Sequence, residues 1–236
     1  METTEVLRAR AKAGDADALF RLGYRLAFGR RRPGNARRQA VVYWRRAAAQ
    51  GHSRALFHLA TSYDDGAGVV RDVRRAMRLY RDAAKRGHEV AQYNLGFSYL
   101  HGQGVAKRPS TGVRWYRLAA AAGDADAQRD LGYCLHEGIG VVAKNQREAA
   151  YWYRKAAQQG DRRAQFNLGL CYLEGEGVPR SQRRAEHWLR KAAKQGHLES
   201  RSLLRRLAAQ QRDPAAGSAC HAPCKDGKGR ATRPRR

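Results

Sequence analysis

Long apolar runs and cysteines are scarce in this 236-residue chain. Nowhere do about 18 apolar residues follow one another, the length that a membrane-spanning helix requires. The opening segment METTEVLRARAKAG has no apolar core behind its charges, so we expect neither a secretory signal nor a membrane partner. The four cysteines are too scattered for a disulfide framework and suit a reducing compartment. We therefore expect a cytoplasmic protein.

Acidic residues are also few. Asp and Glu number 21 against 47 Lys and Arg, which leaves a formal net charge of +26. So large a positive charge favours either an anionic partner or a soluble surface whose copies repel one another, as expected of a monomer. Charge alone does not distinguish these alternatives.

Glycine, in contrast, recurs at an almost constant interval. Six glycines are separated by 36 or 37 residues: Gly14, Gly51, Gly87, Gly123, Gly160 and Gly196. A period of this length is typical of stacked helical repeats. We predict five repeats, with the bounds 14–50, 51–86, 87–122, 123–159 and 160–195. A capping helix is predicted at each end, over 1–13 and 196–212, and the polar, basic segment 213–236 is predicted to be a disordered tail.

The residues after each repeat glycine predict a first helix, helix A. In all five repeats the fourth following residue is Ala, the eighth is Leu, and the ninth is Gly or Ala. This spacing places small residues and a leucine on one helix face, which a neighbour approaches closely. A glycine fifteen residues after each repeat glycine is expected to end helix A in the left-handed conformation: Gly29, Gly66, Gly102, Gly138 and Gly175.

A second helix, helix B, completes each repeat. Its expected N-caps include Asp72, Asn145 and Ser181. The middle of helix B carries two adjacent large residues, such as Trp152 and Tyr153, followed by a pair of alanines. Because bulky and small side chains alternate at helical spacing, we expect adjacent helices to pack closely and to bury the aromatic residues, Trp152 included, between repeats.

These patterns resemble the Sel-one-like repeat family, a class of α-solenoid related to tetratricopeptide repeats. The motif A-x-x-x-L-G-x-x-Y-x-x-G-x-G-V matches residues 164–178, and W-Y-R-K-A-A-x-x-G is complete in 152–160. The resemblance implies an all-α, right-handed solenoid of about five helix-turn-helix repeats with terminal capping helices. It also implies a non-enzymatic adaptor that assembles complexes, often in bacterial regulation or host interaction.

The candidate binding residues lie on helix A, which lines the concave face in the related tetratricopeptide architecture. By this resemblance, eight residues at the sixth or tenth position after a repeat glycine, with two neighbouring asparagines, are predicted to bind a partner: Tyr24, Phe57, Tyr93, Asn94, Phe97, Arg129, Tyr133, Phe166, Asn167 and Leu170. Aromatic side chains are favoured at interface hot spots. The aromatic residues of the sixth-residue set fit packing between repeats equally well, so the tenth-residue set is preferred. The asparagines either bracket a ligand's backbone or tie loops together, and Arg129 and Arg21 are expected to attract an acidic partner.

The sequence supports three functions to different degrees. A scaffold that binds a protein or peptide, which the positive charge suggests is acidic, is the leading hypothesis. A binder of nucleic acid or another polyanion, acting through the basic surface and tail, is the first alternative. A hydrolase of the cysteine-rich repeat subclass is the least favoured, because the paired cysteines of that subclass are missing.

No catalytic residue, cofactor or metal site is predicted. His52, His88 and His197 recur beside the repeat glycines, where other repeats have Asp, so they are interpreted as residues that begin helices. Cys134 and Cys171 are interpreted as buried thiols. Cys220, His221 and Cys224 have the types of zinc ligands but lack a second ligand pair, so a tail with free, oxidisable thiols is favoured over a zinc site.

Overall fold

The computed structural model describes residues 3–29 and 34–212, and this part of the chain contains twelve α-helices and no strand. The helices are α1 (Thr4–Lys12), α2 (Ala16–Phe28), α3 (Ala36–Ala49), α4 (Ser53–Asp65), α5 (Val73–Lys85), α6 (Glu89–His101), α7 (Pro109–Ala121), α8 (Ala125–Glu137), α9 (Gln146–Gln158), α10 (Arg162–Glu174), α11 (Gln182–Lys194) and α12 (Leu198–Arg212). The predicted all-α repeat fold is confirmed. The predicted disordered tail and the cysteine pair within it lie outside the described residues.

The chain divides into two compact units, the first ending at Arg108 and the second beginning at Pro109. In the first unit, each helix from α1 to α6 packs on the next, and α2 with α3 and α4 with α5 are the helix A and helix B pairs of the first two repeats. In the second unit, α7 to α12 pack in the same way, and α8 with α9 and α10 with α11 form the last two repeats. Among the described residues, no helix combines the length and the apolar character that crossing a membrane demands.

Each helix A is capped by the residue that follows the repeat glycine. The carboxylates of Asp124 and Asp161 accept a hydrogen bond from the amide three residues later, at 2.8 and 2.7 Å. His52 and His88 do the same through Nδ1, at 3.2 and 3.3 Å. The interpretation of these histidines as helix-starting residues is confirmed. The expected caps of helix B are also confirmed, as each accepts from an amide of the first turn: Asp72, Asn145 and Ser181.

The glycine that ends helix A behaves as predicted in four of the five repeats. Gly66, Gly102, Gly138 and Gly175 have φ between 72° and 79° and lie in the left-handed region. The prediction is wrong for Gly29, whose φ of −67° and ψ of 161° are extended. The first repeat also has Arg31 where the other four have a second glycine. The basic segment 30–33, which follows Gly29, lies outside the described residues.

The core forms where small residues of helix A meet large residues of helix B. A Cβ at Gly132 would lie 2.8 Å from the Tyr153 ring, so only glycine lets this ring close on helix A. Tyr153 is accordingly 3% exposed. The expectation that Trp152 is buried is wrong: its side chain is half-buried, and its indole N–H donates to Glu148 at 3.3 Å. In each pair of large residues the second one fills the core, because it faces helix A.

Candidate functional site

In four repeats the sixth residue lies at a junction between consecutive repeats: Phe20, Phe57, Arg129 and Phe166. At three junctions its ring lies against the capping histidine of the next helix A, with centroid distances of 4.9 Å for Phe20–His52, 4.5 Å for Phe57–His88 and 4.6 Å for Phe166–His197. The Phe57 and His88 rings are stacked, with an interplanar angle of 12°. These contacts favour the packing interpretation of the sixth-residue aromatics over the binding one.

Arg129 forms the equivalent junction with charge instead of aromatic stacking. Its side chain is only 6% exposed and donates to Asp126 at 2.6 Å, to Asp130 at 2.7 Å and to Asp161 at 3.0 Å. Asp161 is the cap of the next helix A, so the ion pair takes the place of the ring contact. This changes the role predicted for Arg129, because a buried guanidinium surrounded by three carboxylates presents no positive charge to an acidic partner.

The ten predicted binding residues differ widely in exposure. Five are buried: Tyr93 and Asn94 at 1%, and Phe57, Phe97 and Arg129 at 5%. Phe166 is half-buried. Tyr133, Asn167 and Leu170 are also half-buried. Tyr24 is 47% exposed and is the most accessible of the set. The buried members would touch a partner only if their helices separated, so the accessible part of the predicted set centres on Tyr24.

Tyr24 belongs to an aromatic patch, which we define as Tyr24, Phe28 and His58. Phe28 is 52% exposed, and its ring centroid lies 4.8 Å from that of Tyr24. The His58 ring from α4 contacts Tyr24 edge-on at 5.6 Å and Phe28 at 5.8 Å. Sequence reasoning missed Phe28, although a signal was available: the other four repeats carry a polar residue, Asp, His or Glu, at the equivalent position.

The aromatic patch rests on a buried base. Trp44 of α3 is 4% exposed and stacks on His58 at 5.2 Å, and Phe20 of α2 lies 5.6 Å from the same imidazole. Burial, assisted by repulsion from His88 and Arg54, lowers the pKa of His58 to about 4. The imidazole is therefore neutral near pH 7, and the patch offers an uncharged, rigid surface suited to an apolar side chain.

Other polar groups of the described residues do not assemble into a reactive centre. Cys134 and Cys171 are buried, as the sequence predicted. Burial raises the pKa of both thiols to about 12, so they are protonated and poorly nucleophilic. His136 hydrogen bonds to Glu176 at 2.6 Å and to Glu137 at 3.0 Å. Within the described part of the chain, no set of three His, Cys, Asp or Glu side chains is placed to hold a metal ion.

Comparison with known proteins identifies the repeat. The profile of the Sel1 repeat matches five segments, 16–52, 53–88, 90–124, 125–161 and 162–197, which begin two or three residues after the repeats predicted from the glycines. No curated protein matches the chain significantly.

Two solved structures share this fold with substantial identity. A protective antigen of uropathogenic Escherichia coli that displays an SLR fold is 36% identical, with a TM-score of 0.79, over 85% of this chain and 42% of its own. A Sel1 repeat protein from Oxalobacter formigenes is 32% identical, with a TM-score of 0.76, over 86% of this chain and 58% of its own. This chain spans about half the length of these relatives. Since five matched repeats cover most of its sequence, the chain belongs to the Sel1 repeat family.

Proposed function

We propose that this protein is a non-catalytic interaction scaffold that binds a protein or peptide partner through the aromatic patch of its first unit. The observation that carries the proposal is the pair of neighbouring rings, Tyr24 and Phe28, each about half exposed above a packed base. Exposed aromatic rings fixed in position are favoured interface anchors, since they bury a large area and lose little side-chain entropy. Sel1 repeats commonly mediate protein interactions, which supports this reading.

The chemistry of the patch defines the partner's anchor. A neutral imidazole between two rings accommodates an aliphatic or aromatic side chain better than a charged one. Arg54 is close enough to lower the pKa of His58, so positive charge borders the patch. An apolar anchor flanked by acidic residues fits both features.

The free thiols of Cys134 and Cys171 support the cytoplasmic location predicted from the sequence.

Site-specific photo-cross-linking tests the proposal. A photoreactive phenylalanine analogue replaces Tyr24 in the full-length protein, and cross-linked proteins from the cells that make it are identified by mass spectrometry. Tyr151 provides a matched control, because it is a helix B tyrosine with 46% exposure against 47% for Tyr24. A defined partner should cross-link at position 24 and not at 151.

A second substitution links the cross-link to the patch. Phe28→Ala removes the neighbouring ring without touching the labelled position, so it should reduce the yield at position 24 by about tenfold, the loss of one moderate anchor. Equal yields at 24 and 151, or an unchanged yield in Phe28→Ala, would refute binding at the aromatic patch.

A further inference from the structure

A second surface of the first unit carries almost only positive charge. The helices α3 and α5 together contain nine basic residues and a single acidic one, Asp82. In the described part of the chain, none of these nine basic side chains forms a salt bridge. These positive charges are therefore presented to solvent and are not neutralised by acidic side chains of the protein.

Four basic residues of α5 form a stripe. Arg74, Arg78, Arg81 and Lys85 are spaced so that they share one helix face. Eleven residues separate the first from the last, which corresponds to a length of about 17 Å. The charges of one strand of a nucleic-acid duplex are about 3.4 Å apart along the axis, so the stripe matches the length of about five phosphates.

Tyr63 joins the basic residues of α3 to those of α5. The guanidinium of Arg45, from α3, donates to the Tyr63 hydroxyl at 2.9 Å. The guanidinium of Arg75, from α5, lies 4.5 Å from the centroid of the same ring. At the other end, Arg86 packs against Gly51, where a Cβ would lie only 2.7 Å from its Nη1. We call the stripe together with these groups the arginine surface: Arg45, Arg74, Arg75, Arg78, Arg81, Lys85 and Arg86.

A shallow cleft opens on the arginine surface. It has a volume of about 230 Å³ and is lined by Ala48, Leu56, Asp82, Lys85 and Arg86. Its two cations outnumber its one carboxylate, and its size admits an anionic group.

The equivalent site in the fourth repeat shows that a carboxylate fits at the position of Arg75. Glu148 occupies the position in the fourth repeat that Arg75 occupies in the second, and Leu135 replaces the tyrosine. The carboxylate of Glu148 is bound by both terminal nitrogens of Arg117, the equivalent of Arg45. Where the fourth repeat has a carboxylate facing Arg117, the second repeat thus has a second arginine. The same arrangement recurs in the fifth repeat, where Arg154 donates to the Tyr172 hydroxyl at 3.3 Å and Arg184 lies 5.7 Å from the centroid of that ring. An anion from outside would balance the charges of Arg45 and Arg75.

The composition of the surface favours nucleic acid over an acidic protein. Among the large apolar side chains of α3 and α5, Val42 alone is exposed, at 55%, whereas protein interfaces have an apolar core depleted of charge. No aromatic side chain of α3 or α5 is exposed, and proteins that hold single strands stack bases on aromatic rings. We infer that the arginine surface binds the phosphate backbone of a nucleic-acid duplex without reading its sequence.

Salt-dependent binding of a short fluorescein-labelled duplex tests the inference. Fluorescence anisotropy is measured with the full-length protein between about 50 and 200 mM NaCl, using DNA and RNA duplexes of one arbitrary sequence. The variant Arg74→Gln/Arg78→Gln/Lys85→Gln removes three stripe charges. It should weaken binding at least tenfold and reduce the slope of log K against log salt by about 3, since each phosphate contact contributes about 0.9. Tighter binding of the DNA or the RNA arm would identify the natural duplex.

A matched control removes the same charge elsewhere. Arg114→Gln/Arg147→Gln/Lys194→Gln takes one exposed basic residue from each of α7, α9 and α11, so it should change the slope by less than about 1. Circular dichroism melting verifies that both variants stay folded. Equal effects of the two variants, or wild-type binding by the α5 variant, would overturn the inference. Displacement of the duplex by polyglutamate at equal charge concentration would assign the surface to an acidic protein instead.

The result is independent of the aromatic patch. The α5 variant should leave cross-linking from position 24 unchanged, because Tyr24 and Phe28 lie on α2. Loss of duplex binding with intact cross-linking, or the reverse, therefore separates the two functions.

Discussion

Replacement of Arg129 by phenylalanine should destabilise the second unit strongly. Phenylalanine is the residue at the equivalent position in three other repeats, so the side chain itself fits the fold. Its cost arises from the carboxylates of Asp126, Asp130 and Asp161, which are 25%, 12% and 15% exposed and would lose their shared counter-charge. Removing one partner of a buried ion pair costs about 3 to 5 kcal/mol. Because these carboxylates keep some contact with water, we expect about 3 kcal/mol.

Two further substitutions should rescue the variant. Arg129→Phe/Asp130→Asn/Asp161→His reproduces the set found at the next junction, where Phe166, Asn167 and His197 occupy the equivalent positions. It removes two of the three stranded carboxylates and restores a ring contact, so we expect it to recover stability to within about 1 kcal/mol of the wild type.

Urea unfolding monitored by far-UV circular dichroism measures these differences. Arg162→Ala serves as a control for loss of an arginine at an exposed site and should cost no more than about 0.5 kcal/mol. A loss below about 1 kcal/mol for Arg129→Phe alone would refute the assigned role of the ion cluster. If the triple variant were no more stable than Arg129→Phe alone, the stability of the junction would not depend on matching the sixth residue of one repeat to the capping residue of the next.

Three more predictions concern single side chains. Burial lowers the pKa of His88 to about 4, so the folded protein loses stability as the pH falls from about 6.5 towards 4. Asparagine caps a helix without titrating, so His88→Asn should reduce the fall in Tm over that pH range. Burial alone would lower the pKa of His136, but hydrogen bonds to Glu176 and Glu137 outweigh it and raise the pKa. The stability that these hydrogen bonds contribute is therefore lost as the pH rises through the pKa of His136 in the folded protein. Glu176→Gln should therefore lower the pKa of His136 measured by NMR. Tyr153→Ala should cost about 3 to 5 kcal/mol in urea unfolding and Trp152→Ala clearly less, and equal losses would contradict the assigned burial.

The repeat and its helices could be predicted because their signals recur. The same local geometry occurs five times, and each time it uses the same glycines, the same Ala and Leu of helix A and the same kinds of helix cap. The five repeats can therefore be aligned with one another within this single sequence. Gly29 shows the limit of this reasoning: it occupies the expected position, yet its backbone is extended and not left-handed. Trp152 shows another limit, since spacing alone does not say which of two adjacent large residues faces helix A.

The candidate site was less predictable because it arises where the repeats differ. Arg129 looked like an exposed charge within an aromatic set, and only the three-dimensional contacts reveal Asp161, thirty-two residues later, as its partner. Phe28 escaped attention because it belongs to no recurring position of large residues. Its exposure depends on the packing of α2 and α4, which places Tyr24 and His58 beside it.

The junction pairs also restrict how this gene could be rearranged. Repeats that multiply by duplication and deletion are often treated as interchangeable units. Here, however, each repeat supplies the capping residue of the junction before it and the sixth residue of the junction after it. Removing the second repeat would bring Phe20 against His88, a pairing of the kind already present on both sides of that repeat. Transplanting the same repeat behind the fourth would instead bring Arg129 against His52, with no carboxylate on the incoming cap. The order of the repeats therefore matters, and we expect recombination to be tolerated where the residues that meet at the new junction are compatible.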